Sequence, residues 1–272
     1  MFRESIFRNR ATLVWEPREA RKIGILLLHG YGEHARRYRT FGDRLANDGY
    51  HVFAIEHMGH GKSAGRRAYI PDFSALREET AAWFDLLRQN HPGYRWGVFG
   101  HSMGGLIGTW LTLDRPEHVS ALMLSGPLID PPSGISEAVK RVARVLAKVV
   151  PILPAVPFDV EGICRDPEVV RRFRADPLVY NGKIRVGTGI QLENAIRDLL
   201  PRLGEIQAPM WIGHGSLDRL AMPSGSLRLL QMANSLDKER KLYNGLYHEI
   251  LNEPEGEVVL HDITWWLKKR LS

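Results

Sequence analysis

Ser102 stands at the centre of Gly100-His101-Ser102-Met103-Gly104, between the apolar run Trp96–Phe99 and a helix-like stretch from Gly105 to Arg115. Strand, sharp turn and helix with Ser at the apex form a nucleophile-elbow pattern, which pushes a hydroxyl out at the top of a sheet. A Ser hydroxyl attacks poorly unless a base takes its proton, and His is the usual base because it titrates near neutrality. A carboxylate must hold that His in the right tautomer and stabilise its cation. In this arrangement the chain order is Ser, then acid, then His. Asp218 follows the strand-like run Met210–His214, and His248 lies in the loop after the next strand. Ser102, Asp218 and His248 are therefore the candidate triad. The rivals fit less well. His261 falls inside the last helical stretch, Asp237 ends a helix in a polar segment, and His214 reads as a packed or hydrogen-bonded turn residue.

A tetrahedral oxyanion needs backbone donors. One is the N–H of Met103, directly after the nucleophile. The other is expected from the loop after the early buried strand, at Tyr31 in Gly30-Tyr31-Gly32.

These residues must be positioned by a sheet. Leu13-Val14-Trp15 reads as a short edge strand, and Lys22–His29 as a buried one, because its apolar run is continuous. A helix from Arg37 to Asp48 follows and ends at Gly49. Tyr50–Glu56 is the next strand, then a loop at Gly59–Ser63 and an amphipathic helix over Phe73–Asn90. Val119–Ser125 is a further strand. This alternation predicts a mostly parallel α/β sheet. It breaks at Gly126-Pro127 and resumes near Pro209, with a helix around Ser224–Asn234, a strand at Arg240–Tyr243 and a last helix over Glu255–Leu271. Val258, Val259, Ile263, Trp266 and Leu267 share one face of that helix.

The interruption, Leu128 to Gly204, is the candidate cap, so the expected division is a core of 1–127 and 205–272 with a cap insertion at 128–204. Within it, Ile135, Ala138, Val139, Val142, Val145, Leu146 and Val149 follow helical spacing, with Lys140, Arg141, Arg144 and Lys148 between them. A Pro-broken apolar loop, Val150–Phe158, comes next. Such a basic amphipathic segment can approach a lipid interface, or pack its apolar face on the main domain.

The 272 residues are 44% hydrophobic and 25% charged, which suits one large globular domain with an insertion. Net charge is +6, but the positive residues are scattered and form no basic arm, so nucleic acid is not an expected partner. One cysteine, Cys164, excludes an intrachain disulfide and has no evident base partner. The charged N-terminus reads as no signal peptide, and no uncharged apolar run is long enough to span a bilayer. A cytoplasmic location, with peripheral contact at membranes, is the expectation. Gly61-Lys62-Ser63 imitates the end of a phosphate loop, but Glu56 stands where that loop needs Gly. His57/His60 and Glu33/His34 match no zinc spacing, so no metal or cofactor is expected.

His29-Gly30-Tyr31-Gly32-Glu33-His34 with Arg37-Tyr38 resembles the HGxGEHxxRY segment of monoacylglycerol lipases. Gly100–Gly105 resembles their nucleophile motif. Asp176-Pro177-Leu178, Gly189–Leu192 and His214–Asp218 also look like theirs, so the likeness runs from about Ile25 to Glu255. Glu56 stands where the family usually has Asp. The resemblance implies an α/β-hydrolase fold, with a mostly parallel central sheet and an inserted helical cap. It implies a serine hydrolase that cleaves monoacylglycerol to fatty acid and glycerol, with Ser102, Asp218 and His248 as triad and Tyr31 and Met103 as oxyanion donors. It also implies that Arg37 and His101 lie near the glycerol end. Phe173 falls where the family commonly carries a Tyr near the head group. A lysophospholipase or general carboxylesterase with the same triad is the alternative, and a non-catalytic ligand-binding protein on this fold is the rival from another class.

Overall fold

The computed structural model of the protein describes residues 1–131 and 137–271. The sequence rhythm folds into an eight-stranded sheet. In chain order its strands are β1 (Phe2–Phe7), β2 (Arg10–Trp15), β3 (Ile23–Leu28), β4 (His51–Ile55), β5 (Arg95–His101) and β6 (Ala121–Ser125). Two strands of the insertion, β7 (Pro154–Val156) and β8 (Ile184–Arg185), pair separately. The main sheet is completed by β9 (Met210–Gly215) and β10 (Lys238–Tyr243). Its order is β1-β2-β4-β3-β5-β6-β9-β10. From β4 to β10 all pairings are parallel, and β2 alone is reversed, running antiparallel to both β1 and β4.

Both faces of the sheet are covered, and this is why its strands are continuous apolar runs. Leu26, Leu28 and Val98 face one side, against α2 (Phe73–Asn90), α3 (Met103–Asp114) and α6 (Val186–Leu199). Ile25, Leu27, Phe99 and Trp211 face the other, against α1 (Arg39–Asn47) and α8 (Gly256–Leu271). Helix α2 starts where Asp72 accepts from the Ser74 and Ala75 N–H groups, two donors that the first turn leaves unpaired. On α8, Val259, Ile263, Trp266 and Leu267 are buried as expected, whereas Val258 points outward at 54% exposure.

The Leu13–Trp15 segment is not at the edge. β1 pairs outside it in register from Phe2↔Trp15 to Phe7↔Arg10. The sequence hides this strand because its middle residues stay exposed and show no buried face. Pairing holds it instead, together with the Ser5–Thr12 hydroxyl contact at 2.7 Å and the Arg36–Glu4 ion pair at 2.7 Å.

Between β6 and β9 lie α4 (Glu137–Val149), β7, α5 (Pro167–Ala175), β8 and α6. Ile135, part of the expected amphipathic helix, lies outside the described residues. Of the rest, Val139, Val142, Val145 and Val149 face outward, at 57, 59, 63 and 74% exposure. The apolar stripe is therefore not packed on the main sheet. Helix α6 behaves differently. Leu192, Ala195, Ile196 and Leu199 join the same core as Leu106 and Trp110, and Trp110 Nε1 donates to the Ala195 carbonyl at 3.2 Å.

Candidate active site

β3 has β4 on one side and β5 on the other, so the chain changes winding direction between β3 and β5. The crevice outside the carboxyl ends of such strands is where α/β sheets place their sites. The Gly30–His34 loop leaves β3 there, and Ser102 leaves β5 there.

Ser102 has φ 53° and ψ −118°, a left-handed conformation that a non-glycine residue holds only when its surroundings enforce it. Ser102 N–H donates to the Ser125 carbonyl at 3.0 Å, and its own carbonyl accepts from Gly105, Leu106 and Leu128. The turn also needs close approach of backbones. A Cβ on Gly104 would lie 2.0 Å from the Leu28 carbonyl oxygen, so only glycine lets α3 start against β3.

Asp218 and His248 meet as the chain order requires. His248 Nδ1 donates to Asp218 Oδ2 at 2.7 Å, and both side chains are buried. Asp218 Oδ1 accepts from the N–H groups of Leu220 and Ala221 at 2.8 and 3.0 Å, which fixes the carboxylate plane. Burial disfavours the Asp218 charge, but His248 and His214 outweigh it and hold the carboxyl well below its usual range. Burial likewise opposes the His248 cation, and Asp218 overcomes this, so His248 titrates above the ordinary histidine value. With Nδ1 bonded to Asp218, Nε2 is the nitrogen left to act as base.

The Ser102 elbow and this pair are neighbours. His101, next to Ser102, has its ring 4.6 Å from that of His248. A Cβ on Gly30 would fall 3.3 Å from Ser102 Cβ, so the β3 loop touches the nucleophile. The backbone N–H groups of Tyr31 and Met103 have no hydrogen-bond partner among the described residues. Gly30 N–H donates to Glu33 Oε1 at 2.7 Å, and the Tyr31 hydroxyl donates to the Ala68 carbonyl at 3.0 Å. These bonds anchor the loop on both sides of the peptide expected to serve the oxyanion.

The structure places three other anticipated residues away from a free substrate-facing position. Arg37 is engaged by carboxylates: one nitrogen reaches Glu33 at 2.7 Å, and both terminal nitrogens reach Glu249 at 2.6 and 2.7 Å. His101 Nδ1 contacts the carbonyl and hydroxyl oxygens of Ser125 at 3.0 and 3.1 Å; burial and then His248 push its pKa down to about 4. Phe173 is only 2% exposed, packed with Ile163, Cys164 and Val179, and the Arg37 guanidinium lies 4.7 Å from its ring. Arg37 and Phe173 do line a cavity of about 240 Å³, with Arg172, Asp176 and Asn252. A second cavity, about 510 Å³, lies between α2 and the end of α3. Its charges close on one another as Arg77–Asp114 and Arg115–Asp85, and Ser102 does not line it.

Several groups around the site carry no role that their position in the sequence assigns. Glu33 and Glu249 are joined only through Arg37. The i,i+4 spacing of Glu33 and Arg37 was one available signal. The insertion grips the β3 loop through Tyr180 N–H to the Gly32 carbonyl at 2.7 Å and through His34–Asp176 at 2.9 Å. Glu56 is wholly buried, pairs with Arg36 and accepts from Lys62 N–H at 2.6 Å, so the Gly59–Ser63 loop is built around a carboxylate. His29 donates from Nδ1 to the Gly30 carbonyl and accepts at Nε2 from His57 N–H, a structural arrangement. Among the described residues no group of three metal-ligating side chains forms.

A parallel α/β sheet with Ser on a strained strand–helix elbow, beside a buried Asp–His pair, defines a serine hydrolase of the α/β-hydrolase class. A family model described as "Serine aminopeptidase, S33" matches residues 19–255. The chain is 38% identical over 258 residues to a monoacylglycerol lipase of Mycolicibacterium smegmatis, covering 95% of this chain and 92% of that one. It is 34% identical over 263 residues to a monoglyceride lipase of Homo sapiens, covering 95% and 86%. The solved monoacylglycerol lipase of Paleococcus ferrophilus superposes with a TM-score of 0.85 at 28% identity, over 96% of this chain and 99% of that one. The chain belongs to the monoacylglycerol lipase family of serine hydrolases.

Proposed function

We propose that the protein hydrolyses monoacylglycerol through an acyl-enzyme on Ser102, with Asp218 and His248 completing the triad. The observation that carries the chemistry is the 2.7 Å Asp218–His248 contact beside the strained Ser102 elbow. His248 Nε2 takes the Ser102 proton as Oγ bonds to the ester carbonyl carbon. The carbonyl electron pair moves to oxygen, where the Tyr31 and Met103 N–H groups receive it. The C–O bond to glycerol breaks, and the proton on His248 goes to the leaving oxygen. Water, deprotonated by the same nitrogen, bonds to the acyl carbon; the bond to Ser102 Oγ breaks and His248 returns the proton to that oxygen.

Residues 128–204 act as the cap in this reading. The outward valines of α4, with exposed Ile152 and Leu153 after it, form an apolar surface suited to a lipid interface, while Arg141 and Lys148 stand beside them. A single acyl chain gains about 0.8 kcal/mol for each CH₂ it buries, so an apolar covering segment fits a one-chain lipid.

The test is a head-group series on one acyl chain: glycerol, glycerophosphocholine and methyl esters of oleate. The glycerol ester should give the highest kcat/KM, and Ser102→Ala should abolish turnover of all three. Faster cleavage of the glycerophosphocholine ester would assign a lysophospholipase instead. Undiminished turnover by Ser102→Ala would remove the catalytic assignment.

A further inference from the structure

His214 is the last histidine of β9 before Asp218, its side chain is wholly buried, and the hydrolytic cycle above does not use it. Its Nε2 lies 2.9 Å from the Ala221 carbonyl oxygen and 3.0 Å from Asp218 Oδ2. A carbonyl oxygen only accepts, so the hydrogen bond to Ala221 puts the ring proton on Nε2, beside Asp218 Oδ2. His214 Nδ1 is buried with no partner. Asp218 Oδ2 accepts from His248 Nδ1 at 2.7 Å, and His214 Nε2 lies 3.0 Å from the same oxygen. Oδ1 takes the N–H groups of Leu220 and Ala221, so both oxygens of the carboxylate are engaged.

We propose that His214 is a positioning residue of the site: its Nε2–H holds Oδ2 in the plane that meets His248 and draws off part of the charge that would otherwise make His248 more basic. The proposal rests on the serine-hydrolase reading. Other charged or titratable groups around His248 are His101 on β5, Glu249 on its own loop and Glu33 on the β3 loop, with Arg37 joining the last two. On β10, the residue registered with His214 is Leu242, which carries no charge. His214 is thus the partner that shares an oxygen with the catalytic base, whereas the others act on it through space or through its ring face.

Two measurements test this. The first is the acid limb of kcat/KM for a water-soluble ester. In His214→Leu, which cannot donate, the limb should move up by about half a pH unit, as expected when a carboxylate partner loses a competing donor. kcat should fall about tenfold with KM little changed, the signature of a group that acts only on the reacting arrangement. His214→Gln, which keeps an N–H, should return the limb toward wild type. A fall in kcat with the limb unmoved in both variants overturns the proposal, because a merely structural residue would do that.

The second measurement uses the unmodified protein and so survives a variant that does not fold. In long-range 15N–1H spectra His214 should be protonated at Nε2, and its ring shifts should move with the titration of His248. An Nδ1–H tautomer, or a His214 signal indifferent to that titration, overturns the proposal. Absence of Ser102-dependent hydrolysis by the wild type would instead remove the functional reading, leaving the spectra to decide the shared oxygen separately.

Discussion

Arg37 places both terminal nitrogens on the two oxygens of Glu249, at 2.6 and 2.7 Å, and Glu249 directly follows His248 in the chain. The same guanidinium holds Glu33, which in turn accepts from Gly30 N–H. One cation therefore ties the His248 loop to the Gly30–His34 loop, which hold the proposed base and the proposed oxyanion donor. Removing it as Arg37→Met would leave two buried carboxylates unpaired. The expected cost is about 3–5 kcal/mol in denaturant-monitored stability, since breaking a buried pair is far more harmful than never having it. Arg37→Lys should rescue only partly, because a single ammonium cannot fork onto Glu249.

The pH dependence of turnover should expose His248. Its folded pKa is raised by Asp218 against the opposing effect of burial. The imidazole must be neutral to take the Ser102 proton, so activity is present above the folded pKa and lost as pH falls through it. The acid limb of kcat/KM should lie above the ordinary value of 6.5. Asp218→Asn should lower kcat by about 10⁴, since the amide favours the wrong tautomer.

Acid should destabilise the fold before it protonates most carboxylates. Burial lowers the pKa of His57 to about 3 and of His60 to about 4, and holds His29 well below 6.5. The unfolded chain binds protons at these histidines once pH falls below about 6.5, whereas the folded chain does not until the lower values. Stability is therefore fully present above 6.5 and is lost progressively as pH falls toward 4. Each group contributes a slope of up to about 1.4 kcal/mol per pH unit. Urea midpoints at pH 7, 6 and 5 measure it, and His60→Phe should flatten the decline.

The elbow should not tolerate a single methyl group. Gly104→Ala would drive Cβ into the Leu28 carbonyl oxygen, a backbone atom that cannot swing aside. A loss of about 3 kcal/mol is expected, at the upper end of the overpacking range. Reactivity toward a serine-directed phosphonate should fall further than stability alone accounts for, because the strand–helix separation sets the Ser102 backbone.

The outward face of α4 gives a prediction for lipid contact. Val142→Glu with Val145→Glu changes two residues that are 59 and 63% exposed, so folding should be little affected. Binding to phosphatidylglycerol-containing vesicles should weaken by at least about tenfold, while hydrolysis of a water-soluble ester stays within twofold. Equal vesicle binding by variant and wild type would show that this stripe does not meet the lipid.

The parallel sheet, the elbow and the Ser, Asp, His order were legible in the chain because each is written locally. Buried parallel strands need continuous apolar runs, the elbow needs glycines at fixed offsets, and α2 carries an amphipathic pattern over Phe73–Asn90. β1 escaped because its pairing, not its burial, defines it. The insertion was recognisable as an interruption, but the direction of its apolar stripe was not, since periodicity describes a face without saying what covers it. Only the tertiary structure shows what surrounds Arg37, His101, Phe173 and His214. Glu249, the bidentate partner of Arg37, lies 212 residues along the chain, and Ser125, the partner of His101, lies 24 residues along it, so neither contact leaves a spacing to read. Sequence alone determined which groups could react; the fold decided which charged neighbours hold them and how basic His248 becomes.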